Sequence, residues 1–554
     1  MKLNPANRSL KTFLWCSGIL LWSLGGIRSY GAESPALSGI VTSEQEGRME
    51  GVLVSAKPVG GKITVTVVTD SQGRYSFPGE RLRPAQYNLK IRAVGYDLDN
   101  PAPVKVEANK TAQRDLKLVP TKDLAAQLTN AEWFMTNPEI KEKLIDGIGK
   151  MGVAHVHACI GCHPISVVLN SRFKTQEWPA VLNRMANHSE SSILIPGELN
   201  IPAMRPYKVD PNPGGEKLGA FLTSINLNSN PEWKSNLKTM PRWKGRATKV
   251  IITEYDLPRR ECQPHDAAVA PDGMVWYSDV GNAFIGRLNP RTGEIKEFPI
   301  PNQKPELGTV GSASIRVDEN GDVYFGVENR KQTGKFDHAT QKITLWNVGG
   351  GKVAVTNGMV WTKDDSGRIS EIYKLDPKTG ESVHFPLPEA IRFYDVDADS
   401  QGNAYGSSLE RGKIGMLDAK TGQWTLYPTP TPDSGPRRGD VDRQGRYWFA
   451  EYYSGNIGMF DPRTKQIREW KIPPTPYSGA YDVVVDKNGE VWAGGEYNDN
   501  LIRLNPMTGE ITTYQLPTLE MNIQRVDVDN STNPVTIWAG QNHRAKLVRV
   551  EPLD

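Results

Sequence analysis

The chain has 554 residues, a formal net charge of +3 and 23% charged residues. So small an imbalance over this length, with the basic residues scattered, excludes a nucleic-acid binder held by a basic face, and the length itself predicts two to four domains. Fifty-two glycines, 40 prolines and 8% aromatics suit many short strands joined by turns, so the fold class expected is mainly β and multidomain.

Residues 1–32 carry Lys2, Arg8 and Lys11, then an apolar run from Phe13 to Ile27, then the small residues Gly31 and Ala32. That order is expected of a secretory signal peptide, with the mature chain starting near Glu33. A membrane anchor is the alternative, but the run is about 15 residues against the roughly 20 needed to span a bilayer. No second long apolar stretch follows, so no membrane span is expected in the mature chain.

Residues 33–120 alternate with period two, as from Gly51 to Ala56 and from Gly61 to Val68, which predicts a small β-sandwich. The segment from Thr69 through Asp70, Gly73, Tyr75 and Phe77, followed by Tyr87 to Tyr96, resembles the carboxypeptidase regulatory-like domain, a transthyretin-like sandwich. The resemblance implies a structural or docking module, with Asp70 and Gly73 at a hairpin turn and the aromatics alternating into the core.

Residues 121–246 change to a helical period, with helices expected over 123–130, 138–150, the run into Cys159, 176–187 and 216–227. Inside this block stands Cys159-Ile160-Gly161-Cys162-His163. Two cysteines three apart followed at once by histidine form an attachment site for a c-type haem, the thiols adding across the vinyl groups and His163 coordinating the iron. A disulfide, half of a zinc site or a redox pair are the other readings. Zinc would need a second pair of ligands at suitable spacing, and the other cysteines are Cys16 and Cys262. Because thiol attachment of haem takes place outside the bacterial cytoplasm, the expected location is the periplasm. Electron-transfer haems commonly take Met on the distal side, and the downstream candidates are Met185, His188, Met204 and Met240. Each methionine has core packing as its alternative. The stretch from Cys162 through Trp178 to Met185 is similar to short cytochrome c domains whose tryptophan-bearing helix ends in the axial Met. That resemblance favours Met185, with Met204 or His188 as alternatives.

From residue 247 to the end a unit recurs. Its glycines Gly273, Gly321, Gly358, Gly402, Gly445 and Gly489, each three residues before an aromatic, stand 37 to 48 residues apart. This is the period of four-stranded propeller blades, and a degenerate copy ending at Trp538 brings the count to seven. The strand from Ile251 to Pro258 matches the end of a unit, so it is expected to close the last blade. With Pro264-His265-Asp266 ahead of Asp272-Gly273 and Trp276, the repeat resembles the virginiamycin B lyase (streptogramin lyase) family of seven-bladed propellers. That resemblance implies metal-assisted elimination opening a cyclic depsipeptide, with magnesium at the propeller. Here only His265 keeps the Pro-His context; later blades hold Tyr394-Asp395, Arg438-Gly439-Asp440, Tyr481-Asp482 and Gln524-Arg525.

A lyase would therefore rely on His265 with Glu451 or Glu496 and His543, histidine being the readiest base near neutral pH. These residues, with Asp266, Asp279, Arg316, Arg392, Tyr394, Arg438, Tyr481 and Arg525, could form one polar funnel suited to a small anionic substrate. They could equally be ion pairs that hold blades together. The reading that combines all blocks is an exported haem c protein moving electrons between its cytochrome domain and a substrate or redox partner, such as a periplasmic dehydrogenase or cytochrome, held by the propeller. A magnesium-dependent lyase and a non-catalytic docking scaffold are the alternatives.

Overall fold

The computed structural model describes residues 34–144, 160–161, 163–186, 215–228, 236–303, 310–327, 330–364 and 369–554. Strands dominate, and the α-helices among the described residues lie in the middle block. No helix among the described residues is long and apolar enough to cross a membrane.

The N-terminal unit is two small sheets face to face. Strand Leu37–Ser43 alternates buried and half-buried positions, and it pairs with Arg74–Phe77 on one side and Leu116–Pro120 on another. The hairpin leading into Arg74–Phe77 is made by Asp70, whose Oδ1 accepts from Gln72 N at 2.8 Å and Arg74 N at 2.9 Å. Gly73 takes the left-handed conformation there, φ 68°, where a side chain would be strained. Tyr75 and Phe77 then point into the sandwich core with Leu37, Val54 and Leu89.

Six four-stranded sheets follow in sequence from Pro264–Val269 to Ile511–Gln515. The seventh takes Ile523–Asp529, Thr536–Gln541 and Lys546–Pro552 from the C-terminus and Val250–Asp256 from before the first blade. Inner strands of successive sheets touch around a ring, with Pro264–Val269 meeting both Ile315–Val317 and Ile523–Asp529. This is a seven-bladed propeller, numbered here blade 1 to blade 7. The recurring turns have a common device. Asp442 and Asp486 each stand six residues before a tryptophan; one carboxylate oxygen caps the turn and the other accepts the indole N–H of Trp448 at 2.9 Å or Trp492 at 3.0 Å. The glycine of the turn, Gly445 or Gly489, has φ 76° or 81°.

Blade 7 does not end at Val250–Asp256. The outer edge of that strand pairs antiparallel with Ile63–Val68 of the sandwich, Ile251 opposite Val67 and Tyr255 opposite Ile63. One eight-stranded sheet thus runs from the propeller's centre into the N-terminal unit. An exposed strand edge is an aggregation hazard, and here the sandwich covers it.

In the middle block, helices are Asn130–Thr136, Pro138–Leu144, Ile165–Leu169, Trp178–Ala186 and Gly215–Ser224. The helix expected over 123–130 is corrected: a single 3-10 turn spans Ala125–Gln127, and the α-helix starts at Asn130. The reason is a capping box, in which the Thr129 side chain accepts from Glu132 N while Glu132 accepts from Thr129 N.

Candidate functional site

Among the described residues, four inner strands carry a register shift: between Pro264 and Ala267, Pro436 and Gly439, Ala480 and Val483, and Ile523 and Val526. A bulge re-aims side chains. At these four places it covers the consecutive pairs His265-Asp266, Arg437-Arg438, Tyr481-Asp482 and Gln524-Arg525, all buried.

One member of each of two pairs locks the ring. Arg438 grips Asp266 through two hydrogen bonds of 2.7 and 2.9 Å, both side chains fully buried. Burial alone would raise the pKa of Asp266, but Arg438 and His265 hold it well below the ordinary carboxylate value. Carboxylates also reach from one blade to the backbone of the next. Asp266 accepts from Ile315 N at 3.3 Å, Asp395 from Gly439 N at 3.2 Å, Asp440 from Val485 N at 3.0 Å and Asp527 from Val269 N at 2.7 Å, the last closing the circle. Arg525 likewise donates from blade 7 to the Ala267 carbonyl of blade 1 at 2.8 Å, so of the funnel expected from sequence Asp266, Arg438 and Arg525 are tie-bars between blades.

The other members form a polar chain toward the propeller mouth. His265 Nδ1 lies 2.6 Å from Asp266 and Nε2 lies 3.2 Å from Tyr481 Oη. Burial, with Lys352 nearby, pushes the His265 pKa down to about 3, so the ring is neutral; Nδ1–H donates to the carboxylate and Nε2 accepts from tyrosine. Tyr481 is 2.6 Å from Tyr394 Oη, and Arg437 donates to Tyr394 at 3.3 Å and to Glu496 at 3.2 Å. The Arg437 guanidinium sits 3.6, 4.0 and 4.9 Å from the ring centres of Tyr481, Tyr452 and Tyr394, a set of cation–π contacts in a desolvated place. Asn522 Nδ2 then joins Glu496 at 2.8 Å to the carbonyl of Ile160 at 2.9 Å. Beside it His543 donates Nε2–H to the carbonyl of Gly161 at 3.1 Å, and burial pushes its pKa to about 3.

The chain thus ends on the backbone of the Cys-x-x-Cys-His segment, because the helical block is seated on the mouth. Ala131 N donates to the Tyr497 carbonyl at 3.0 Å, Lys141 to the Tyr453 carbonyl at 3.0 Å, and Ser166 bonds Glu520. Leu128, Trp133, Phe134, Ile160, Ile165 and Trp178 share one apolar cluster with Leu409, Tyr452, Tyr481 and Tyr497 of the propeller. His163 is 8% exposed and its Nδ1 lies 3.0 Å from the Pro164 carbonyl. Burial lowers its pKa, so it is neutral with Nδ1–H donated to the carbonyl; no described residue hydrogen-bonds Nε2.

The remaining expectations fall elsewhere. Glu451 bonds Ser454 and Asn456 within blade 5, whereas Glu496 belongs to the chain that starts at His265. Asp279 pairs with Arg259, and Arg392 stands 3.9 Å from Glu410. Arg316 lies 3.7 Å from Asp266. Met240 N donates to Glu132 at 2.9 Å. Met185 lies on the helix Trp178–Ala186; Cys159, Cys162, His188 and Met204 lie outside the described residues. Sequence reasoning missed Arg437, Tyr452, Tyr497 and Asn522. The signal available for two of them was a tyrosine directly after the strand-end glutamates Glu451 and Glu496.

Residues 36–119 match the carboxypeptidase regulatory-like domain. The chain matches no curated protein in sequence. Similar solved structures include a streptogramin B lyase, 21% identical with a TM-score of 0.49, covering 56% of this chain and 99% of that one. Virginiamycin B lyase from Staphylococcus aureus is 19% identical with a TM-score of 0.48, covering 54% of this chain and 99% of its own.

Proposed function

We propose that this chain is an exported haem c protein in which residues 121–246 act as the cytochrome c-like unit, its haem-bearing segment held against the mouth of the propeller, and that it exchanges single electrons with a redox partner or a substrate. The observation that carries the reading is the pair of hydrogen bonds from Asn522 and His543 to the carbonyls of Ile160 and Gly161, the residues between Cys159 and Cys162.

The residues present suit a covalent haem. His163 is neutral, its Nδ1–H is anchored on the Pro164 carbonyl, and this leaves Nε2 as the ligand nitrogen, the arrangement that fixes tautomer and ring orientation in metal-binding histidines. The indole N–H of Trp178, in the same apolar cluster, is buried with no hydrogen-bond partner among the described residues, a donor that a propionate would satisfy. A haem bound there supplies one-electron exchange, with the potential set by its axial ligands and burial. Met185 is the proposed distal ligand, Met204 and His188 its alternatives. The propeller residues Tyr452, Tyr481 and Tyr497 exclude water below the segment, and Arg437 with Glu496 keeps that floor rigid.

Elimination chemistry has less support. Both ring nitrogens of His265 are engaged, by Asp266 and by Tyr481, and His543 spends its Nε2–H on Gly161, so neither histidine stands ready as a base.

The test is to purify the full chain from a host that matures c-type haem, then follow its visible spectrum during reduction by dithionite and reoxidation by a small cytochrome c. Reversible haem bands that Cys159→Ala with Cys162→Ala removes support the reading. A colourless protein that opens a streptogramin B depsipeptide with magnesium, and loses that activity in His265→Ala, would replace it with the lyase.

A further inference from the structure

We propose that blade 5 holds a calcium ion between Glu451 and Glu469. The inference stands apart from the haem reading and comes from comparing equivalent positions in three blades.

In blade 1, Asp279 ends the second strand and Glu297 lies on the fourth. Arg259 sits between them, its Nη2 2.8 Å from Asp279 and 2.7 Å from Glu297. These two acids and Cys262 form a cluster of ligand-type atoms, and the guanidinium already fills it. In blade 7 the same two positions hold Gln541 and Glu254, and Lys546 reaches Glu254 at 3.2 Å. Two blades thus neutralise their fourth-strand glutamate with a cation from the chain.

Blade 5 has Glu451 and Glu469 at these positions. Register fixes the equivalence: Gln541 pairs with Lys546 in blade 7, and Glu451 pairs with Asn456 in blade 5. Where blade 7 has its lysine, blade 5 has a neutral amide. Among the described residues no Lys, Arg or His forms an ion pair with Glu451 or Glu469. A buried carboxylate beside another acid has its charged form disfavoured unless a counter-charge is present, and Glu451 is in that position. Burial and the neighbouring Glu469 raise the Glu451 pKa to about 8.

The unpartnered atoms are oxygens. Glu451 is fully buried; its Oε2 accepts from Ser454 at 3.0 Å and Asn456 Nδ2 at 2.8 Å, while Oε1 has no hydrogen-bond donor among the described residues. Asn456 is 2% exposed; its amide nitrogen bonds Glu451, and its Oδ1, on the same side-chain amide, has no partner among the described residues. A proton shared by the two acids would satisfy one of these acceptors, whereas a cation satisfies both. Glu469, held by Thr431 N at 2.9 Å and Thr431 Oγ1 at 2.6 Å, is half-buried and gives the ion a path from solvent. Carboxylate and amide oxygens without nitrogen or sulfur select a hard cation, and irregular protein oxygen cages suit calcium better than magnesium, which demands near-ideal octahedral geometry.

The experiment is calcium titration of the full chain, freed of metal with EDTA, by calorimetry and by thermal unfolding. Calcium is expected to bind and to raise Tm, since a ligand that binds only the folded state stabilises it. Glu451→Gln is expected to weaken binding at least tenfold. Asn456→Lys, which copies blade 7, is expected to keep the fold, abolish the calcium response and leave Tm insensitive to EDTA. No binding and identical Tm in EDTA and calcium would overturn the proposal in favour of a shared proton, and so would a calcium response that both variants retain.

Discussion

His543 donates its Nε2–H to the carbonyl of Gly161 at 3.1 Å, across 382 residues of sequence. With Asn522 on the carbonyl of Ile160, it makes the last blade a clamp for the segment between Cys159 and Cys162. Removing either donor leaves a buried carbonyl short of a partner, which costs about 1–3 kcal/mol. His543→Ala and Asn522→Ala should each speed limited proteolysis of the helical block several-fold while the propeller stays intact. Equal cleavage rates in wild type and both variants would mean that the clamp does not hold the block.

Arg438 and Asp266 form a bidentate ion pair in the channel, and both side chains are fully buried. Breaking a buried pair from one side strands the other charge, at on the order of 3–5 kcal/mol. Arg438→Met should therefore lower the urea midpoint of the propeller sharply, and Arg438→Met with Asp266→Asn should recover part of the loss. A single variant as stable as wild type would contradict the tie-bar role.

How much of this was legible beforehand depends on range. The blade period was visible because each turn needs Gly at positive φ and an aromatic three residues on, as at Gly445 with Trp448 and Gly489 with Trp492. The sandwich turn at Asp70 and Gly73 was visible for the same local reason. The pairing of Ile63–Val68 with Val250–Asp256 was not, since both strands look like ordinary half-buried strands and nothing local names a partner. The start of the helix at Asn130 is a local signal too, since Thr129 and Glu132 form its capping box. The polar chain from His265 to Asn522 depended on bulges, which place consecutive residues where strict alternation would separate them. Sequence alternation alone would put Arg437 and Arg438 on opposite faces.

Three channel carboxylates set a pH dependence. Burial raises Asp397 to about 6, and Asp440 and Asp482 to about 7, with the Asp397 charge adding to the shift of Asp440. The folded protein therefore keeps protons that the unfolded chain has released, so stability from these groups is full below about pH 4 and is lost as pH rises toward 7. Asp482→Asn should flatten the fall in Tm between pH 5 and 8. A wild-type Tm that climbs through this window, unchanged in the variant, would contradict the assignment.

The central claim is that Cys159, Cys162 and His163 carry a covalent haem at the propeller mouth. Its most direct measurement is the intact mass of the chain purified from a host that matures c-type haem, with the two cysteines replaced in parallel. The account predicts a mass increase of one haem that survives denaturation and acid extraction and is absent from the Cys159→Ala, Cys162→Ala double variant. A wild-type chain of unmodified mass from that host would contradict it.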